Sequence, residues 1–167
     1  MARRLTLLIV LCLVVPQAAL AATVKVRVEG KTRTLFGPTE VQVTAATPME
    51  ALEQASLAGE LYYHLTTTSF GSYVDQVGRY GGDASSGWVF KVDDASPPVG
   101  ADKVQLHDGD TVLWYYADFG PAGGPPTLAL SRSGTDCYAV AAQDDAGKAA
   151  PAANAVLHVG ARTVPAV

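Results

Sequence analysis

The residues from which chemistry could be built in this 167-residue chain are three histidines, two cysteines and 16 acidic side chains. His64, His107 and His158 stand singly on three separate segments, whereas a metal centre needs three or four donors converging on one point. Asp108, Gly109 and Asp110 set two carboxylates around a glycine, but the alternating oxygen ligands and closing Glu of a calcium loop do not follow. The trio reads as a turn. No G-x-S-x-G step occurs, Ser72 and Ser86 have no neighbouring histidine, and Cys137 lies outside the main run of strands. Asp93 with Asp94, and Asp144 with Asp145, are adjacent turn residues whose side chains diverge, so they do not form an acid–base pair. The sequence therefore points away from catalysis, a metal site or a bound cofactor.

Aromatic and hydroxyl side chains are the stronger signal. Trp88, Phe90, Trp114 and Tyr116 fall at strand spacing and read as core. Tyr62, Tyr63, Phe70, Tyr73, Tyr80 and Tyr115 are too many for one small core, so some of them must face water. Thr67, Thr68, Ser69, Phe70, Ser72, Tyr73 and the step Ser86, Gly87, Trp88 are expected to cluster where two strands run into glycine-rich bends. Such an edge offers hydroxyls and aromatic faces without charge, which suits a large neutral ligand whose amides or hydroxyls find partners as they are buried. The alternative is that Phe70 and Tyr73 simply plug the open end of the sheet.

The elements that must position these residues follow from periodicity. Val24, Val26 and Val28 alternate with Lys25, Arg27 and Glu29, the pattern of a strand with one wet face. After a short connection over 34–38, Val41 and Val43 repeat the alternation over 39–44 and complete a hairpin. Thr47, Pro48 and Glu50 form a helix start, with a hydroxyl cap, a proline in the first turn and a carboxylate able to reach back. The helix runs to about Ala58, with Met49, Leu52, Ala55 and Leu57 on its apolar side and Gly59 as its left-handed stop. Residues 61–68 and 69–74 are rich in strand formers. Gly78, Gly81 and Gly82 then bracket Arg79 and Tyr80 in a flexible loop. Trp88, Phe90 and Val92 mark a strand that ends at Asp93 and Asp94, and residues 111–119 form the next. Two strands, one helix and further strands is the order of a β-grasp, an α+β fold in which a mixed sheet wraps a single helix.

Arg3 and Arg4, an apolar run over 5–15 and the step Ala19, Leu20, Ala21 read as a cleaved secretory signal over residues 1–21. Cys12 would leave with it, and no second long apolar run follows to span a membrane. Export would leave Cys137 as a free thiol, one half of an intermolecular pair, a residue whose partner is lost, or a buried inert thiol. The net charge of −4 becomes −6 without Arg3 and Arg4, which argues against nucleic acid and anionic membranes as partners. Residues 120–126 are glycine, proline and alanine, a linker between a unit at 22–119 and a second at 127–167. That second unit shows short strands at 127–131, 136–143 and 155–159, with a turn over 144–148, and looks like the start of an immunoglobulin-like module. It is incomplete, because such a sandwich needs roughly 100 residues. Either the chain is truncated or these strands pair with the first unit.

The order G-W-V-F-K-V-D-D over 87–94, V-G-A-D over 99–102 and L-H-D-G-D-T-V-L-W-Y-Y over 106–116 resembles the family named for the C-terminal β domain of transcobalamin and intrinsic factor, a DUF4430-type domain. The resemblance covers roughly residues 23–119. Asp93 and Asp94 depart from the Asn-Gly common at that turn, a mild change because Asp also serves tight turns. The resemblance implies the same β-grasp-like fold, with the 67–73 region on the ligand side. It also implies a secreted, non-catalytic binding module related to the β half of cobalamin carriers, with a corrinoid such as cobalamin as candidate ligand. Those carriers share the work with a large helical domain that this chain lacks. The rival expectation is a structural or adhesive module of a bacterial-type cell-surface protein, held to neighbouring domains.

Overall fold

The computed structural model describes residues 20–69, 71–120 and 124–165, with the side chain of Glu40 outside that description. The segment read as a secretory signal lies almost wholly outside it, as do Phe70 and the middle of the linker.

A four-stranded mixed sheet in the order β2-β1-β7-β6 organises the first two thirds of the chain. Its strands are β1 (Ala22–Glu29), β2 (Thr34–Ala45), β6 (Ser86–Val92) and β7 (Thr111–Asp118). β1 is antiparallel to β2 and parallel to β7, and β7 is antiparallel to β6. The alternation in β1 lands as the sequence requires: Val24, Val26 and Val28 are buried while Lys25 and Arg27 face outward. The helix α1 (Pro48–Gly59) lies on that buried face through Ala51, Leu52 and Ala55.

The helix is fixed at its start by several bonds. Glu50 N donates to Thr47 Oγ1 at 3.2 Å and Ala46 N to Glu50 Oε2 at 2.7 Å, which satisfies amides that a bare helix end would leave open. Trp114 Nε1 reaches from β7 to Pro48 O at 2.9 Å, and Met49 N donates to Ala101 O at 3.1 Å. One tryptophan and one coil segment thus set where the helix begins.

A second, three-stranded sheet holds β3 (Tyr63–Thr68), β4 (Gly71–Val77) and β5 (Tyr80–Gly81) in the order β3-β4-β5. Val74 and Val77 of β4 are buried in the same core as the helix. After the linker come β8 (Thr127–Arg132), β9 (Tyr138–Gln143) and β10 (Ala149–Pro151), which form a sheet of their own, and the hairpin of β11 (Val156–Val159) and β12 (Arg162–Pro165). Among the described residues these later strands pair only with one another. They meet the first sheet through an isolated bridge between Ala95 and Ala146 and through hydrogen bonds near it.

Several local expectations are corrected. The stretch 34–38 is part of β2 and not a connection, because β2 is an edge strand and its pairing with β1 slips between Val26 and Val28, which accommodates Gly37 at φ +70 and Pro38. The left-handed residue that ends α1 is Glu60, at φ 52, and Gly59 serves another need: a Cβ there would lie 2.7 Å from the Phe36 ring. Leu57 is exposed and takes no part in the apolar face of α1. The glycine-bracketed segment at 78–82 carries the short strand β5, held by Gly82 N donating to Asp75 O at 2.7 Å. Cys137 is exposed, which removes the reading of a buried thiol.

A candidate ligand groove at the open edge of the sheet

β6 is the outer strand of the mixed sheet, and what lies along its free edge is set by the ladder on its other side. Phe119 N donates to Ser85 O at 2.7 Å and Asp93 N to Thr111 O at 2.9 Å, with unbroken register between them. Antiparallel ladders alternate, so the backbone groups of Gly87, Val89 and Lys91 face β7 and those of Ser86, Trp88, Phe90 and Val92 face away. The ends of that outer edge are closed. Ser86 O accepts from Asp83 N at 2.8 Å, and Val92 exchanges bonds with Ala95 at 2.9 and 3.0 Å. Between them the N–H and C=O of Trp88 and Phe90 point outward, and no described strand pairs with them.

A cavity of about 370 Å³ wraps this edge. Tyr73 and Val74 form the wall from β4; Trp88, Val89 and Phe90 supply the edge itself; Trp114 and Tyr115 lie behind on β7. Trp88, Phe90 and Trp114 belong to the helix side of the sheet, Val89 and Tyr115 to the opposite side, so the groove touches both faces. Phe119, Ser96 and Asp145 stand at the rim. A smaller cavity of about 300 Å³ continues it past Tyr73, Trp88 and Phe119 to Gly87, Asp83 and Asp75.

The residues expected to bind are divided by the fold. Ser72, Tyr73, Gly87 and Trp88 come together at this edge. Thr67, Thr68 and Ser69 sit exposed at the tip of the β3–β4 hairpin, where Thr67 Oγ1 and Ser72 Oγ are 3.0 Å apart and Thr68 Oγ1 donates to Gly71 O at 3.1 Å. They line neither cavity. Phe70 lies outside the described residues. Tyr73 is 51% exposed, so it does not plug the sheet. Phe90, which periodicity assigned to core, and Phe119 and Asp145, which carried no sequence signal, are the groove residues that sequence reasoning missed.

The expectation of an uncharged edge is corrected too. Asp145 lines the main cavity, Asp75 and Asp83 the smaller one, and no Lys or Arg lines either. Asp145 accepts from Ser96 Oγ at 3.2 Å, and among the described residues no ammonium or guanidinium is within ion-pair distance of it. The hydroxyl of Thr66, and then the His64 ring against the other oxygen, hold the Asp75 carboxyl below its ordinary value. Asp83 is lowered chiefly by the Ser85 amide. Burial pushes the Tyr115 phenol up, and the Asp145 charge adds to it.

Asp145 reaches the groove because of a buried lysine. Lys91, on the outer face of β6, is fully buried, and its Nζ donates to Thr127 Oγ1 at 3.1 Å, Gln143 O at 3.1 Å and Asp144 O at 2.6 Å. Three N–H donors meet three acceptors, so the ammonium is satisfied without a carboxylate. Ser96 N to Asp145 O at 2.7 Å and Gln143 Nε2 to Asp94 Oδ2 at 2.7 Å complete the dock.

Residues 45–118 match the family model described as Domain of unknown function (DUF4430). No curated protein matches the chain. Haptocorrin in complex with Cbi is similar in structure, with a TM-score of 0.52 and 13% identity over 62% of this chain and 27% of that one. A protein of Ruminococcus gnavus ATCC 29149, with a suggested metal-binding role, aligns at 17% identity and a TM-score of 0.45 over 59% of this chain and 99% of that one. The likeness to haptocorrin is one of fold, and this chain spans about 27% of haptocorrin's length.

Proposed function

Starting from a chain whose residues 45–118 form a DUF4430 domain, we propose that this protein is a secreted, non-catalytic binding module that takes its ligand in the groove along β6. The mixed sheet and its one helix are read as β-grasp-like, and β8 to β12 as a partial immunoglobulin-like unit. The observation that carries the binding role is the groove: an aromatic cavity of about 370 Å³, within the size range of small-molecule sites, opening on unpaired backbone groups.

A corrinoid is the first ligand to test, because the fold resembles that of haptocorrin, which is described in complex with Cbi. Trp88 and Trp114, the two tryptophans of the chain, both line the groove, so occupancy reports itself in fluorescence. Titration with cobinamide and with cobalamin is expected to give saturable quenching that is lost in Tyr73→Ala. A flat titration at millimolar corrinoid removes the corrinoid from this reading. The structural or adhesive role is the second reading, and the exposed Leu128, Leu130 and Val159 of the later strands favour it. Pull-down of neighbouring surface domains by the full chain, lost when Leu128 and Leu130 are both changed to Ser, would support that role.

A further inference from the structure

We infer that the open edge of β6 takes an extended peptide strand carrying basic side chains, which adds to the mixed sheet next to Trp88 and Phe90. This rests on reading the groove as the binding site, and does not depend on the corrinoid.

The outward N–H and C=O of Trp88 and Phe90 form a donor–acceptor repeat two residues long, the repeat that another β-strand presents. Closure at Ser86 by Asp83 and at Val92 by Ala95 fixes where such a strand begins and ends, so the edge accepts a short segment in one register. The side chains of an added strand alternate between the two faces, and the groove has a surface waiting on each. Trp88, Phe90 and Trp114 face one set of side chains; Val89, Tyr115 and Asp145 face the other.

Charge then selects the second set. Asp145 has no cationic partner among the described residues, Asp75 and Asp83 extend the negative field along the groove, and no lining residue is basic. A Lys or Arg on the Asp145 face would complete the ion pair and lie beside the Tyr115 and Phe119 rings. An apolar or aromatic residue belongs on the other face. The occupant is thus an extended peptide in which basic and apolar residues alternate.

The probe is acetyl-Val-Lys-Phe-Lys-Val-amide, added to the full chain under amide-resolved NMR. In the free monomer the Trp88 and Phe90 amides are expected to exchange rapidly while Val89 and Lys91 are protected, and saturation with the peptide protects Trp88 and Phe90. Two N-methylated analogues separate backbone from side-chain recognition, one methylated on both lysines and the other on phenylalanine and the last valine. A ladder loses one analogue and keeps the other; retention of both, or loss of both, overturns the proposal. Asp145→Asn should weaken the peptide roughly threefold and leave its Gln-for-Lys analogue unchanged, and equal effects on the two remove the charge argument. Trp88 and Phe90 amides already protected in a peptide-free dimer would show a second copy on the edge, and overturn it as well. Peptide binding with a flat corrinoid titration removes the corrinoid alone, whereas corrinoid quenching without peptide binding removes this inference alone.

Discussion

The strands before the linker and those after it are held together by different physics. In β1, β7 and α1 the residues that pack are aliphatic and fully buried: Val24, Val28, Ala51, Leu52 and Val112 are all at 0% exposure. In β8 to β12 Thr127 alone among the described residues is buried, while Leu128, Leu130, Tyr138 and Val164 are exposed. The first region holds itself together by removing apolar surface from water. The second cannot, and its place against β6 rests on polar contacts: one ammonium whose three donors are all in use and the hydrogen bonds and bridge about Ala95. A sheet with a helix over it makes a core, whereas a sheet without a covering layer borrows its position from a neighbour.

The sharpest way to break that contrast is a matched pair of truncations. Leu52→Ala should cost roughly 2–5 kcal/mol by leaving a cavity beneath α1. Leu130→Ala, at a residue 52% exposed, should stay within about 0.5 kcal/mol. Thermal unfolding of the two variants measures both, and similar losses would mean that the later strands have a core of their own. Next in size is Lys91→Met, which leaves the Gln143 and Asp144 carbonyls without their donor at a cost of about 1–3 kcal/mol. Hydrogen exchange should quicken across β8 and β9 and remain unchanged in β1. Unchanged exchange in β9 would show that the bridge at Ala95 suffices.

Much of the first region was legible in the sequence because its signals are local. The valines of β1 alternate, Thr47 and Glu50 cap, and Asp93 and Asp94 adopt φ 47 and 68 as a tight turn requires. Lys91 was not legible. In a strand ending V-F-K-V-D-D a lysine reads as the wet face, and its burial depends on residues 36 to 53 positions further along. The same holds for the groove. Tyr73 and Trp88 could be found from composition and bends, but Asp145 enters it only through that distant dock. Thr67 and Thr68 fall at the hairpin tip and not in the groove, because alternation cannot say how far a hairpin projects beyond the sheet it leans on.

Smaller effects refine the picture. Tyr73→Ala should leave the melting temperature within about a degree, as for a surface position, yet abolish the tryptophan response to a groove ligand. A fall of several degrees would place Tyr73 in the core. The smallest effect concerns acid. Asp75 sits below its ordinary value of 3.8 through Thr66 and then His64, so its contribution is present above that value and is lost as pH falls through the lower folded one. Asp75→Asn should therefore cost a little stability at neutral pH, and the difference from the parent protein should vanish in acid, which flattens the acid limb slightly. A loss of the same size at neutral and at acid pH would contradict that assignment.

The parallel pairing at the centre of the sheet also has a mechanical consequence. β1 and β7 lie side by side in the same direction, with Lys25 against Thr111 through to Glu29 against Tyr115. Tension applied between Ala22 and Phe119 would drag these two strands past each other along their length and load every rung of that ladder at once. The hairpin of β11 and β12 is antiparallel and joined at one end, so a pull extended from Ala22 to Pro165 opens it a pair at a time. Under stretch the rear strands would lengthen first, and the sheet that bears the groove would keep its shape.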